Sequence, residues 1–387
     1  MTKTNQKIPE GWSVKRLDDI GDFISGVGFP EKEQGGQIGI PFYKVSDMNL
    51  PQNDIYMKVS NNYVTDKQIE AMHIAPIRRK AILFAKVGAA IFLERKRIAE
   101  NFLCDNNMMC FLPFNFSNYL KYAFDNLRLS KYSQVGALPS YNASDLSSIK
   151  LPVPPLPEQE KIAEILGCWD DGIEKLSRLI EQKKRLKKGL MQRLLNFKKE
   201  YLKRFDEIFE DYSDKKHSDK DLLSATQENG VIPRRLLKGR VMSPEGSLDG
   251  YKLVRSGSFV ISLRSFQGGL EYSDYEGIIS PAYTVIKDKI PINKCFYRYF
   301  FKSYNFIEKY LSIAVIGIRD GKQISYPDLQ SVKIPYPPLS EQKAIADILS
   351  KADEEITLLT KKLSALKSQK KGLMQKLLTG QIRVKVN

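Results

Sequence analysis

The chain has 387 residues, enough for two or three domains with real cores. It carries 61 Lys and Arg against 45 Asp and Glu, a formal net charge of +16, with 42% hydrophobic residues. That excess of base favours a polyanionic partner, nucleic acid before a membrane surface. No apolar run approaches the roughly 18 residues that span a bilayer, and the opening MTKTNQKIPEGW has no apolar signal core. A cytoplasmic protein is therefore expected. Cys104, Cys110, Cys168 and Cys295 show no CxxC spacing and only two histidines occur, His73 and His217, so reduced thiols are expected rather than disulfides or a zinc site.

In chain order, VKRLDDI (Val14 to Ile20) opens a stretch of short apolar runs. AILFAKVGAAIFL (Ala81 to Leu93) reads as strand broken at Gly88, and NYLKYAFDNLRLS as one short helix. Two basic clusters fall in expected loops, Arg78-Arg79-Lys80 and Arg95-Lys96-Arg97, with Lys86 between them. A polar loop, SKYSQVGALPSYN (Ser130 to Asn142), then presents Tyr132, Gln134 and Tyr141. Next comes the Pro-rich PVPPLPEQ, which prevents helix upstream, and a long amphipathic segment. Its apolar positions Ile162, Leu166, Trp169, Ile173, Leu176 and Ile180 alternate steps of four and three, and the register continues to Leu190 and Leu194 across Lys183 and Lys187.

A second body follows from LKRFDEI (Leu202 to Ile208). Arg234 and Arg235, with Lys238 and Arg240, form its basic cluster. FVISLRSF (Phe259 to Phe266) reads as strand, with Arg264 and Gln267 at its end, and CFYRYFFKSYNFIEKYL as a short helix. A second polar loop, AVIGIRDGKQIS, carries Arg319, Lys322 and Gln323. PYPPLSEQ leads into the second long segment, with Ser340 as its expected N-cap. Its stripe runs Ile345, Leu349, Ala352, Ile356, Leu359, Leu363, Leu366, Leu373 and Leu377, and Lys370 fills the missing slot. Four to five heptads of this kind specify a coiled-coil seam. About 38 residues at 1.5 Å each make a helix roughly 57 Å long.

The two halves are copies of one plan. DLSSIKLPVPPLPEQEKIAEIL (Asp145 to Leu166) returns as DLQSVKIPYPPLSEQKAIADIL (Asp328 to Leu349), and KKGLMQRLL (Lys187 to Leu195) as KKGLMQKLL (Lys370 to Leu378). Pro154 to Pro337 and Gly189 to Gly372 give the same offset, 183 positions. A unit this long occurring twice is a duplication with pseudo-twofold symmetry rather than a solenoid. The expected fold is thus mixed α/β (α+β): two bodies joined by two long helices that pair antiparallel. The expected boundaries are 1–157 for the first body, 158–199 for the first helix, 200–339 for the second body and 340–387 for the second helix and tail.

Chemistry of its own is hard to find. VIGIRDGKQ misses the phosphate-loop spacing, because Gly317 and Gly321 are one residue too close and Gln323 replaces Ser or Thr. YPPL lacks the Asn or Asp that opens an amino-methyltransferase motif, and PDLQSVK has Ser331 where a nuclease needs its acid. Solvated charge is the ordinary reading of any single basic cluster. Several clusters interleaved with 19 Tyr and 19 Phe point instead to phosphate and base-edge contacts. Off the helical seam, Leu179, Met191, Leu358 and Met374 are apolar without an assigned neighbour. Gly189 and Gly372 cost about 1 kcal/mol each inside a helix, which suggests close approach of another backbone. The helices are then either a plain spacer or a spacer that also docks a protein.

With the repeat, both PPLxEQ helix starts and the ending KKGLMQKLLTGQIRV, the whole chain resembles the specificity subunits of type I restriction-modification systems. IPEGWSVKRLDDI is similar to that family's opening, although no tryptophan matches Trp12 in the second copy. The resemblance implies two target-recognition domains, each reading half of a bipartite DNA site, and a helical ruler between them. It implies partners as well: two modification (methyltransferase) subunits carrying S-adenosylmethionine, and restriction or translocase subunits that use ATP and Mg. No cofactor is then expected on this chain. A DNA-acting enzyme with its own site and a protein-only coiled-coil adaptor are the alternatives; self-contained activity would mark the first, and absence of salt-sensitive DNA binding the second.

Overall fold

The computed structural model describes residues 8–134, 138–197, 199–237, 247–262, 265–311 and 324–386. The chain divides into two compact units: Met1–Lys175 with Leu363–Asn387, and Leu176–Lys362. Each unit therefore holds one body, the first half of the long helix that follows it and the second half of the other.

The bodies share a plan that the sequence shows only at its edges. In unit 1 an antiparallel sheet runs in the order Gly21–Ser25, Met108–Pro113, Ala81–Ala85, Lys96–Ala99. In unit 2 the order is Phe209–Tyr212, Thr284–Asp288, Phe259–Ile261, Glu271–Tyr272. The opening strand of each body pairs with the strand that leads into its long helix, and Lys15 opposite Leu151 matches Lys203 opposite Ile334. The same turn joins them to the sheet. Arg16 folds back on Asp18 through Nε and Nη2 at 2.9 and 2.6 Å, as Arg204 does on Asp206 at 3.0 and 2.7 Å. The echo between VKRLDDI and LKRFDEI is this turn, made twice.

The satellite strands diverge. Unit 1 adds Tyr63–Val64, Ile40–Tyr43 and Leu103–Cys104, the last two parallel. Unit 2 adds a hairpin, Leu223–Thr226 with Gly230–Pro233, and the pair Lys252–Val254 with Gly277–Ile279. One short helix packs on each main sheet, Asn118–Asn126 and Lys294–Phe301. The expected strand from Ala81 to Leu93 stops at Ala85. Gly88, at φ +80°, turns the chain, and Ala89–Leu93 forms a 3-10 turn instead.

The long helices span Leu156–Leu194 and Leu339–Leu378, 39 and 40 residues. Ser340 lies inside the second helix rather than capping it, because the helix begins at Leu339 directly after Pro338, whose carbonyl accepts from Glu341 N at 2.9 Å. Each body core is closed by both helices running antiparallel. In unit 1, Ile162, Leu166, Leu377 and Leu378 are buried with Leu17, Phe111 and Phe124. In unit 2, Ile345, Leu349 and Leu195 are buried with Phe205, Phe209 and Phe300, with Leu190 and Leu194 packed alongside. Truncating any of these leucines or isoleucines to Ala would cost about 2–5 kcal/mol.

Candidate nucleic-acid interface and helix seam

Two interruptions of the helical stripe, Lys187 and Lys370, have a structural reason. In unit 1, Tyr122 donates to Asp170 Oδ2 at 2.8 Å while Lys370 Nζ binds Asp170 Oδ1 and lies 5.1 Å from the Tyr122 ring centre. In unit 2, Tyr299 donates to Asp353 Oδ2 at 2.9 Å, while Lys187 Nζ binds Asp353 Oδ1 and lies 5.2 Å from the Tyr299 ring. Each triad takes its tyrosine from a body, its aspartate from that body's own helix and its lysine from the other helix. Burial and the neighbouring carboxylate push the Tyr299 hydroxyl up to about 12, so it stays a donor.

The glutamine of PPLxEQ ties the body helix to the long helix in both copies. Gln159 Nε2 donates to Pro154 O at 2.9 Å, and its Oε1 accepts from Ser117 Oγ at 3.1 Å. Gln342 Nε2 donates to Pro337 O at 2.8 Å, and its Oε1 accepts from Asn293 N at 2.8 Å. Trp12 is particular to unit 1. Its Nε1 donates to Glu158 Oε2 at 2.9 Å, and Arg383, from the tail, grips both oxygens of the same carboxylate at 2.8 and 2.9 Å. The missing tryptophan of the second copy thus corresponds to a clamp that needs the C-terminal tail.

The expected DNA-facing residues separate into two groups. Arg78, Arg79 and Lys80 are exposed, with Arg78 Nη1 on Asn101 Oδ1 at 2.7 Å. Lys86, Arg95, Tyr132 and Gln134 sit on two loops that are knitted together. Gly88 N donates to Pro139 O at 2.8 Å, Tyr141 N to Lys86 O at 3.1 Å, and Gln134 N to Ser140 O at 2.9 Å. Lys86 Nζ reaches Ser25 Oγ at 3.1 Å, and half-buried Arg95 reaches Asn49. Tyr132 is 42% exposed. In unit 2, Arg234 and Arg235 lie on a turn after the hairpin, Arg235 bridged to Asp221 at 3.3 Å, and Gln267 is exposed on the short helix Ser265–Gly268. Arg264, Arg319, Lys322 and Gln323, like Lys238 and Arg240, lie outside the described residues.

Three candidates are corrected. Lys96 is buried, its Nζ donating to Glu94 Oε2 and Leu127 O at 2.7 Å each; burial lowers its pKa against the pull of Glu94. Arg97 donates through Nε to Asn53 O at 2.6 Å and is mostly covered. Tyr141 lies in the core edge-on to Phe84. Strand alternation turns Lys96 inward, so neighbours in sequence do not share a surface.

Unit 2 places a buried ion pair where unit 1 has Lys96, with the charges exchanged. Glu271, on the edge strand, receives Lys302 Nζ at 2.6 Å, and burial raises the Glu271 pKa. Lys302 also donates to Gly268 O at 2.9 Å and Gln227 O at 3.4 Å, so it gathers the short helix and the hairpin tip. That tip borders an open cleft of about 920 Å³ lined in part by Thr226, Gln227, Asn229, Ser262 and Tyr283. Gln227 and Asn229 escaped the sequence reading because the turn between these short strands carries no basic residue to mark it.

On the helices, Leu179 and Leu358 are exposed, 38% and 68%. Met191 and Met374 are half-buried against the two body cores. A Cβ on Gly189 or Gly372 would meet nothing within 4 Å, so no described part of this chain makes the close approach those glycines suggested. Among the described residues no cluster of three or more His, Cys, Asp or Glu could hold a metal ion, and no helix is long and apolar enough to cross a membrane. The four cysteines are free.

This duplicated architecture has known counterparts. The sequence matches the family described as type I restriction modification DNA specificity domain twice, over residues 9–185 and 203–368. It is 28% identical over 415 residues to the putative type I restriction enzyme MjaX specificity subunit of Methanocaldococcus jannaschii, covering 98% of this chain and 95% of that protein. It is 29% identical over 423 residues to the MjaVIII specificity subunit of the same organism, with the same coverage. The type I restriction-modification S subunit from M. genitalium superposes with a TM-score of 0.53 at 16% identity, covering 97% of this chain and 98% of that one. A chain from a structure titled for complex assembly and conformational transition of the type I R-M system superposes at 0.59, also at 16% identity, covering 97% and 100%. The matched segments span both bodies and most of both helices, and the chain belongs to the family of type I restriction-modification DNA specificity subunits.

Proposed function

We propose that this chain is the non-catalytic reading subunit of a type I restriction-modification complex. Each body reads one half of a bipartite DNA site, and the paired helices set the gap between the halves. The observation that carries this reading is the repeated frame with unlike loops. Sheet order, strand register and the Tyr–Asp–Lys triad recur, whereas the satellite strands and loop chemistry do not. A frame kept constant while its edges differ suits a ligand with two different half-sites.

Two modification subunits dock on the helices, around Leu179, Gly189, Leu358 and Gly372, where side chains or bare backbone face open space. Those subunits carry S-adenosylmethionine and methylate adenine; restriction subunits using ATP and Mg join the same assembly. The net charge of +16 supplies the sequence-independent share of DNA affinity.

The test is exchange of the first body, Leu17 to Tyr141, for that of another family member, followed by methylome sequencing. One half of the methylated motif should change while the other half and the gap persist. A motif altered in both halves, or methylation by the chain without partners, would refute the reading.

A further inference from the structure

Between the third strand and the edge strand of its main sheet, each body inserts one turn, and the two turns differ in chemistry. Unit 2 places the helix Ser265–Gly268 there, with Gln267 exposed. Unit 1 places the 3-10 turn Ala89–Leu93, whose Ile91 is buried while Phe92 and Leu93 are 58% and 60% exposed. Leu138, 63% exposed, comes from the neighbouring loop and lies over Gly88, where an added Cβ would sit 3.8 Å from its Cδ1.

Three large apolar side chains in the open would ordinarily collapse onto the protein, and contiguous exposed patches of this sort mark contact surfaces. Here the backbone is braced so that they do not. Gly88 at φ +80° starts the turn and Glu94 at φ +52° ends it. The Glu94 carboxylate is held by Lys96 Nζ and accepts from Leu129 N and Ser130 N at 3.1 and 2.9 Å. The Lys96–Glu94 pair thus acts as a positioning device for the turn and its neighbour loop.

Charge selects the occupant. Over residues 86–96 and 128–141 the basic residues outside the core are Lys86, Arg95, Arg128 and Lys131, and the sole acid, Glu94, is engaged internally with the buried Lys96. An apolar tip on loops whose uncompensated charge is all positive fits a polyanion with apolar interior steps better than it fits a protein surface.

We propose that Phe92 and Leu93 form a wedge that the first body inserts between base steps of its half-site, opening the stack while the surrounding cations hold the phosphates. The second body, with Gln267 at the corresponding place, reads by hydrogen bonding instead. This rests on the DNA-reading function proposed above and adds a mode of contact to it.

The test uses the full chain with Phe92→Trp, and the parent chain, with Trp12 buried and Trp169 half-buried, is taken through the same additions to supply the background. Emission is followed on adding a duplex that carries the motif found by methylome sequencing, the same duplex with the first half-site scrambled, or the modification subunits alone. Stacking should quench the new tryptophan with the motif duplex only. The double variant Phe92→Ala, Leu93→Ala should bind that duplex about tenfold more weakly, as loss of base stacking requires. Motif binding without quenching would overturn the wedge and leave the DNA-reading function standing. A response to the modification subunits without DNA would overturn it too, by assigning the patch to protein docking. Absence of DNA binding at any salt concentration would overturn both.

Discussion

Asp170→Ala is the sharpest probe of how the helices hold a body. The substitution leaves the Lys370 ammonium, whose side chain is 16% exposed, beside an empty site and removes the acceptor of the Tyr122 hydroxyl. Stripping one member from a buried ion pair costs about 3–5 kcal/mol and orphaning a hydroxyl about 1–3; with the pair partly wetted, about 2–4 kcal/mol is expected in total. Both tryptophans of the chain, Trp12 and Trp169, lie in unit 1, so tryptophan fluorescence in urea reports that unit alone. With a slope of about 2–3 kcal/mol/M, the midpoint should fall by about 1 M. Adding Lys370→Met should recover part of the loss, because the stranded charge is gone and the two effects are not additive. Asp353→Ala, the equivalent change in unit 2, should appear in far-UV circular dichroism and leave the tryptophan transition in place. If both aspartate variants shifted that transition equally, or if the Asp170 and Lys370 effects simply summed, the triads would not be the clamps inferred from their geometry.

Arg383→Ala should lower the stability of unit 1, since Glu158, 4% exposed, keeps the Trp12 indole but is left without the guanidinium on its two oxygens; a lower urea midpoint of the tryptophan transition reads this directly. Arg79→Gln with Lys80→Gln should lower the slope of log affinity against log salt by about 0.9 for each phosphate no longer neutralised. Lys96→Met should leave that slope unchanged and reduce stability by about 2 kcal/mol, which denaturation and binding measured side by side will separate. For Glu271, burial sets the folded pKa above the unfolded one, so its contribution to stability is complete below the unfolded value and is lost as pH rises through the folded value. Glu271→Gln keeps an acceptor for Lys302 and should gain on the parent as pH rises above the ordinary glutamate value; urea midpoints that fell further behind the parent as pH rose would contradict this.

The helices were legible because a stripe in steps of three and four has few other solutions. Ile162, Leu166, Ile345 and Leu349 are buried where the register puts them. The lysines that interrupt the stripe were visible as gaps but not as clamps. Their partner tyrosines sit in bodies whose lengths differ, so Tyr122 and Tyr299 do not keep the offset of 183 that links Asp170 to Asp353. The candidate interface was legible in composition and misleading in detail. Runs of base such as Arg95-Lys96-Arg97 look alike in sequence, yet the pleat sends Lys96 inward. The apolar run from Ala81 hid an exposed turn, because a buried strand and a presented tip use the same residues until Gly88 divides them.

The division of each helix between two units has a consequence for synthesis. The first body leaves the ribosome early, but residues 363–387, which supply Leu377, Lys370 and Arg383 to it, are made only after the second body. The intervening stretch, Leu176–Lys362, is 187 residues long, or roughly 10–40 s at ordinary elongation rates. Through that interval Ile162 and Leu166 lack Leu377 and Leu378, and Asp170 lacks its lysine. The second body has both of its helical segments available sooner, since Lys187 and Leu195 precede it and Leu349 follows it directly. The body made first is therefore completed after the second, and the nascent chain carries an open apolar stripe while the second body is made.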